Sequence, residues 1–312
     1  MEILSSAPVV AVVIVNWNGR RLLDSCLEAV TGQTIPAGLI IVVDNGSTDG
    51  SVAHLRNAWP SVEVIELGRN LGVAAGNNAG IGRALAAGAT QVLLLNNDAT
   101  MRPDVIQQLR SALDAGGPDV WAVTPKIVYR SDPGMIWSAG GRMIWWRGLS
   151  KDRGTDHPDR GQFDQSDLVG YANTCCLLLR AEAFARAGMM DEAYFMYFDD
   201  SDFSGRLVRA GGKIAYAPGA VVLHDVQASS KDGDQPVNHF MLYYTTRNRV
   251  RFIQRNVPGA PLRLLAHGFT IGSRVIRMGQ ALCRGDRRTF SVIWRAIYDG
   301  YVRRLTGPTY TP

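Results

Sequence analysis

Cysteine is scarce: Cys26, Cys175, Cys176 and Cys283 are the only four in 312 residues. So few do not make a disulfide framework. Adjacent Cys175 and Cys176 are poorly placed to bridge each other, and no CxxC pair suggests zinc. A reducing cytoplasm fits this usage. Long apolar runs are also missing. The best stretch, residues 262–282, is interrupted by Arg263, Arg274 and Arg277, so no membrane-spanning helix is expected. The opening MEILSSAPVVAVVIV carries Glu2 and no basic residue, unlike a signal peptide. Two glycine-rich phosphate cradles are absent. The first apolar run is followed by Asn16-Trp17-Asn18-Gly19 rather than GxGxxG, which argues against a nicotinamide-dependent oxidoreductase, and no GxxxxGK(S/T) occurs. From Arg247 onward there is no lysine, but thirteen arginines stand against Asp286 and Asp299, a net +11. The whole chain carries +5, so residues 1–246 sum to −6: a slightly acidic body with a strongly basic tail.

What is present is a core. Hydrophobic residues make up 46% of the chain, enough for one large domain with an extension. Residues 9–15 (VVAVVIV), 39–43 (LIIVV), 62–67 and 91–95 (QVLLL) predict strands, the most apolar of them buried on both faces. Helical spacing over 21–30, 51–58 and from about 70 to 85 falls between them. Strands alternating with helices imply βαβ units and a mostly parallel sheet. Further strands are expected at 120–129 and 175–179, and helices at 181–187 and 201–210. Residues 130–167, rich in Gly, Asp and Trp, lack periodicity, as functional or disordered stretches do. Beyond about 236 the chain predicts Arg-studded helices.

Polar clusters stand where the strands end, which is where open α/β sheets place ligands. Asp44 closes the second strand and could accept hydrogen bonds from a base or a ribose, or simply form a tight turn. Asn96-Asn97-Asp98 follows LLL abruptly, and a carboxylate there can hold a divalent ion that bridges diphosphate oxygens. Asp199-Asp200-Ser201-Asp202 follows an aromatic run. Asp199 can cap the next helix, with Asp202 facing back toward the cap and pairing with Arg206 at i,i+4. Asp200 is left with no structural task, and a carboxylate crowded by like charges and aromatics can serve as a general base. His224 follows an apolar strand; such a histidine is ordinarily structural and becomes a ligand only beside Asp98.

In this order the segments IVNWN (14–18), VVDNGSTDGS (42–51), NLGVAAGNNAGI (70–81), LLLNNDA (93–99), WSAGG (137–141), FMYFDDSDFSGRLVRAGG (195–212), the isolated His224 and YYTTRNRVRF (243–252) resemble family-2 glycosyltransferases of the GT-A fold. The nearest likeness is to the rhamnosyltransferase-like branch that builds bacterial surface polysaccharides. Any one segment is weak; eight in register are specific. The resemblance spans about residues 9–255 and leaves the last fifty-odd residues unmatched.

The resemblance implies a catalytic domain over residues 1–235, with a donor half to about 100 and an acceptor half from 101, followed by a basic helical extension, 236–312. It implies donor binding by Val15, Asn16, Asp44, Asn70, Asn77, Asn97 and Asp98. Asp200 would be the base, Trp137 and Asp199 would lie on the acceptor side, and Asp98 with His224 would hold Mn2+ or Mg2+. The donor implied is a dTDP- or UDP-sugar, with rhamnose the family-level choice, and the acceptor is a saccharide, plausibly lipid-linked. Two positions depart from the family pattern: the metal motif has one carboxylate, Asp98, and the first acid of the pair is Asp199 rather than Glu.

A non-catalytic nucleotide-sugar binding module is the rival, and a pure binder has no need of Asp200. Nucleic acid is not an expected partner, because the tail arginines alternate with Leu, Ile, Val and Trp as on a membrane-surface helix. The tail is therefore expected to meet an anionic membrane or, alternatively, a second copy of the chain. That places the protein in the cytoplasm, peripheral on the inner face of the membrane.

Overall fold

The computed structural model describes residues 10–226 and 238–302. The opening stretch 1–9, the expected domain boundary at 235–236, and Arg303 and Arg304 of the basic tail lie outside the described residues. The first half is β1 (Val10–Asn16), α1 (Arg20–Thr31), β2 (Leu39–Asp44), α2 (Ser51–Ala58), β3 (Glu63–Glu66), α3 (Val73–Ala86) and β4 (Gln91–Asn96). It continues through β5 (Ala99–Met101), α4 (Val105–Ala115) and β6 (Val120–Tyr129). Short strands follow: β7 (Met135–Ser138), β8 (Gly141–Ile144), β9 (Leu149–Asp152), β10 (His157–Pro158) and β11 (Asp167–Val169). Then come β12 (Cys176–Arg180), α5 (Ala181–Ala187), α6 (Asp199–Arg209) and β13 (Lys213–His224). Three helices close the described chain: α7 (His239–Asn256), α8 (Ala260–Cys283) and α9 (Arg287–Val302).

The heart of the sheet is parallel, β3-β2-β1-β4, as the alternation predicts. Beyond β4 the strands β12, β6, β7 and β10 add antiparallel, and β13 returns parallel to β6. The continuous apolar runs have a simple cause. Val12 and Ile14 of β1 enter one core layer with Leu23, Leu27 and Val30 of α1. Ala11 and Val13 enter the other with Ala74, Ile81 and Ala84 of α3. A strand covered on both faces has no polar face to alternate. The glycines of NLGVAAGNNAG let α3 lie close on the sheet: a Cβ at Gly76 would stand 2.7 Å from a Val15 methyl, and one at Gly80 3.1 Å from a Val43 methyl.

Residues 130–167 are ordered despite their lack of periodicity. β8 and β9 form a hairpin, and the Trp145 ring after it stacks on Phe252 of α7 at 6.2 Å. The C-terminal helices are built into the domain. Arg247 of α7 is fully buried and Arg249 nearly so, while Arg251 pairs with Asp191 at 2.8 Å. These three arginines therefore add nothing to the surface charge that their count in the tail suggests. α8 and α9 keep exposed arginines, and Leu264, Leu265, Val275, Ile276, Trp294 and Tyr298 are exposed beside them.

A buried carboxylate helps tie α6 to α7, beside the Arg209 contacts with Asn256. Asp202, with 0% exposure, accepts hydrogen bonds from Arg206 Nε at 2.7 Å, Asn256 Nδ2 at 2.7 Å and the Tyr194 hydroxyl at 3.2 Å. The expected i,i+4 pair with Arg206 is thus present. Asp202→Ala strands a largely buried guanidinium and two polar donors, so it should lower the unfolding free energy by about 3–5 kcal/mol. Urea unfolding measures this; a loss below about 1 kcal/mol, the scale of exposed pairs, would contradict the burial argument.

Candidate active site

Register places the residues expected on the donor side. In the sheet Asn16 stands opposite Asp44, and Val15 opposite Asn96, so three strands end at one edge. Asn16 joins them: its Nδ2 donates to Asp44 Oδ1 and to Ser47 Oγ, each at 3.2 Å, and its Oδ1 accepts from Asn97 Nδ2 at 2.9 Å. Asp44 also accepts from the Ser47 amide at 2.9 Å, so it forms the turn that its sequence context allows. Asn70 serves a turn as well, its Oδ1 accepting from the Gly72 amide at 2.9 Å. Asn77 is buried in α3. The sequence argument missed Asn45, whose Oδ1 accepts from the Leu71 amide at 2.8 Å and whose Nδ2 donates to the Gly72 carbonyl at 3.0 Å. Its signal was its position beside Asp44 in VVDNGSTDGS.

Gly72 carries the turn at 70–72 to the acidic segment. Its φ is +93°, and a Cβ there would stand 2.7 Å from Phe195 Cα. The next amide, that of Val73, donates to the Phe195 carbonyl at 2.7 Å. Any other residue at 72 would push the two segments apart.

Asp98 and His224 meet because β5 pairs with β13, putting His224 opposite Ala99. His224 Nε2 lies 3.1 Å from Asp98 Oδ1, and both residues are buried. The Trp137 ring stands edge-on to the imidazole at 4.4 Å, so this residue borders the Asp98–His224 pair. His224 Nδ1 is buried with no hydrogen-bond partner among the described residues. The nearby Cys26 thiol is pushed up to about 12 by burial and then by the Asp98 charge, which keeps it protonated. No group of three or more His, Cys, Asp and Glu suited to a metal occurs among the described residues. A cation here would take two protein ligands, a carboxylate oxygen and an imidazole nitrogen, and that donor set suits a divalent ion completed by other oxygens.

The acidic helix start differs from expectation in two respects. Asp199 does not cap α6: the N-cap position is Phe198, no side chain caps the helix, and Asp199 is its first residue, 5% exposed. Asp200 does have partners. Tyr171 donates its hydroxyl to Asp200 Oδ2 at 2.7 Å, and the Ser201 amide donates to Oδ1 at 2.6 Å. Tyr171 lies 29 residues upstream, beyond any local pattern. Of the pair, Asp200 is the more open. Burial raises its carboxyl above the ordinary carboxylate range, against the hydrogen bonds from Tyr171 and Ser201 that favour the anion. Asp199 is raised as well, by burial first and by the Asp200 charge second.

A further acid joins them from the irregular stretch. Asp152, at the end of β9, accepts from Ser138 Oγ at 2.5 Å and Asn173 Nδ2 at 3.2 Å. Its carboxyl is pushed up to about 6, by burial and then by the Asp200 charge. Nothing in its sequence neighbourhood marks it.

The family model described as Glycosyl transferase family 2 matches residues 11–186. The N-acetylglucosaminyl-diphospho-decaprenol L-rhamnosyltransferase of Mycobacterium tuberculosis is 28% identical over 91% of this chain and 98% of its own length. The galactofuranosyltransferase GlfT1 of Mycolicibacterium smegmatis is 31% identical over 67% of this chain and 68% of its own. Among solved structures, the mannosyltransferase PcManGT from Pyrobaculum calidifontis, in complex with GDP-Man and Mn2+, superposes with a TM-score of 0.57 at 16% identity, covering 96% of this chain and 89% of its own. GalNAc-T7 with UDP, GalNAc and Mn2+ gives 0.61 at 17% identity over 79% of this chain and 48% of its own. These two likenesses speak for the fold, which is GT-A as the strand-end motifs imply. The match to the family model runs from the central strand β1 through the donor edge and into α5, and on it this chain belongs to glycosyl transferase family 2.

Proposed function

We propose that the protein transfers a sugar, with inversion, from a nucleoside-diphosphate donor to a hydroxyl of a lipid-linked saccharide in cell-surface polysaccharide synthesis. The observation that carries this reading is the contact of Gly72 and Val73 with Phe195, which joins the donor edge to the segment bearing Asp200. A rhamnosyl donor, as the dTDP- or UDP-sugar, follows the mycobacterial rhamnosyltransferase relative, and so does a lipid diphosphate-linked acceptor.

In this mechanism Asp44 binds the base with Asn16 beside it, Asn97 stands with Asp98 at the diphosphate, and Val15, Asn70 and Asn77 complete the donor side. Asp98 and His224 would hold a divalent cation, Mn2+ in preference to Mg2+ because imidazole suits it better, and that charge would offset the diphosphate's. Asp200 takes the proton from the acceptor hydroxyl as its oxygen attacks the anomeric carbon opposite the diphosphate. Tyr171 and the Ser201 amide fix the orientation of that carboxylate. One displacement inverts the anomeric centre. Trp137 and Asp199 lie on the acceptor side; the burial of Asp199 leaves direct acceptor contact mainly to Asp200.

The C-terminal helices would bring the enzyme to a lipid-linked acceptor. No helix among the described residues is long and apolar enough to cross a membrane. The exposed apolar side chains of α8 and α9, set among exposed arginines, suit an anionic surface at the inner face of the cell membrane.

Three outcomes are expected. Asp200→Asn should leave donor binding intact and lower turnover by about two to four orders of magnitude. The base must be unprotonated, so the raised Asp200 carboxyl puts the acid limb of kcat above the ordinary carboxylate range, with activity lost as pH falls through it. Near-normal turnover of that variant, measured as nucleoside diphosphate release, would remove the assignment. His224→Ala should abolish most of the activation by Mn2+ while shifting the thermal midpoint little, and full activity of the parent enzyme in excess chelator would refute the metal role. Finally, the full chain should co-sediment with anionic vesicles at low salt and lose them as salt rises, since each basic residue near such a surface contributes about 1 kcal/mol and salt screens it. Absence of binding at low salt would turn α8 and α9 into an oligomerisation or packing element.

A further inference from the structure

The segment that leads into Asp200 is held in a conformation its residues do not favour. Phe195, Tyr197 and Phe198 have φ values of 65°, 65° and 67°. Left-handed backbone is uncommon for any residue with a Cβ and an outlier for bulky ones, so three such residues within four positions need an external hold.

That hold comes from α7. Asn248 Nδ2 lies 2.8 Å from the Tyr194 carbonyl, 2.7 Å from that of Met196 and 2.8 Å from that of Tyr197, and its two N–H groups are shared among the three. Its Oδ1 accepts from Arg247 Nε at 2.7 Å, which fixes the amide's orientation. The same Arg247 donates to the carbonyls of Ala193 at 2.6 Å and Tyr194 at 2.9 Å. Both side chains are fully buried. The rings secure the segment from its flanks: Phe195 stacks on Tyr244 at 5.1 Å, and Phe198 lies 5.7 Å from Phe252. Buried backbone carbonyls need donors, and one amide placed among those of Tyr194, Met196 and Tyr197 serves all three.

We propose that Asn248 is a positioning residue for transfer: it holds the segment containing the left-handed Phe195, Tyr197 and Phe198 in its course and so aims Asp200 at the acceptor. This rests on the reading of Asp200 as the base. The C-terminal helical unit then supplies part of the catalytic geometry from 48 positions beyond Asp200 without touching substrate. Misplacing a reacting group by about 1 Å costs on the order of a hundredfold in rate, whereas nucleoside binding at the strand ends depends on β1, β2 and β4.

Asn248→Asp tests this, because it keeps the shape, removes the donors and sets an oxygen against three carbonyls. Asn248→Ser is the milder companion if the first variant folds poorly. In a folded variant kcat should fall by about a hundredfold, while the donor KM and nucleoside diphosphate affinity stay within about threefold. Hydrogen exchange at the amides of residues 197–200 should quicken relative to the rest of α6. A kcat close to the parent's, or equal proportional losses in kcat and donor affinity, would overturn the proposal. Asp200→Asn measured alongside separates the two ideas. If that variant keeps its turnover, the base assignment fails, and the exchange rates at 197–200 still decide the clamp: faster exchange supports it and unchanged exchange refutes it.

Discussion

The site depends on one side chain at the end of the central strand. Asn16 offers an amide donor and a carbonyl acceptor, and the structure uses both, toward Asp44 and Ser47 on one neighbour and Asn97 on the other. Parallel pairing brings three strand ends to a common edge, where backbone register alone would leave their polar residues side by side but unlinked. An apolar residue at 16 would leave the buried Asp44 with only the Ser47 amide as donor and the Asn97 amide without its acceptor. The preference for Asn over a carboxylate here is electrostatic: a second negative charge against Asp44 would repel it, whereas an amide satisfies it.

Much of this edge was legible in the sequence. Runs such as VVAVVIV and QVLLL identify strands covered on both faces, and a polar residue ending such a run must lie at a sheet edge. What stayed hidden depends on pairing between distant segments. Asp98 and His224 are 126 positions apart, and only the β5–β13 ladder brings them to 3.1 Å. Tyr171 and Asp152 share that property, each reaching the site from a stretch whose own sequence shows no functional pattern; Asn248 lies in the YYTTRNRVRF segment, but nothing in that segment says what its amide meets. Periodicity reports which face of an element is apolar; it carries nothing about which polar residue a remote loop will meet.

Charge counting failed for a related reason. A guanidinium adds the same +1 to a sum whether it faces water or protein, yet desolvation decides what it does. Arg247 is buried and satisfied by carbonyls that need donors, and burial lowers its pKa. Arg251 is neutralised by Asp191. The basic character that remains for an anionic surface belongs to α8 and α9, where Arg277, Arg284, Arg287 and Arg288 are exposed. The tail is thus two things in sequence: an internal brace, then a basic and apolar outer face.

The three carboxylates at the start of α6 show how helix geometry separates roles that composition cannot. Residues three apart share a face, so Asp199 and Asp202 both turn inward and are 5% and 0% exposed. Asp200 lies about 100° around the helix from Asp199 and is the one left partly open. Asp202 is paired with Arg206 and hydrogen-bonded by the Asn256 amide and the Tyr194 hydroxyl, which makes it a structural anion. Asp199 has no cation paired with it among the described residues, and the Asp200 charge beside it raises its carboxyl further. A protonated Asp199 would add no negative charge next to Asp200, so the pair would present a single basic carboxylate as proton acceptor rather than two competing ones. The shorter side chain of Asp199, compared with the glutamate usual in the family pattern, fits that buried place. Asp200 alone then combines access, orientation by Tyr171 and a raised proton affinity, the three properties a general base requires.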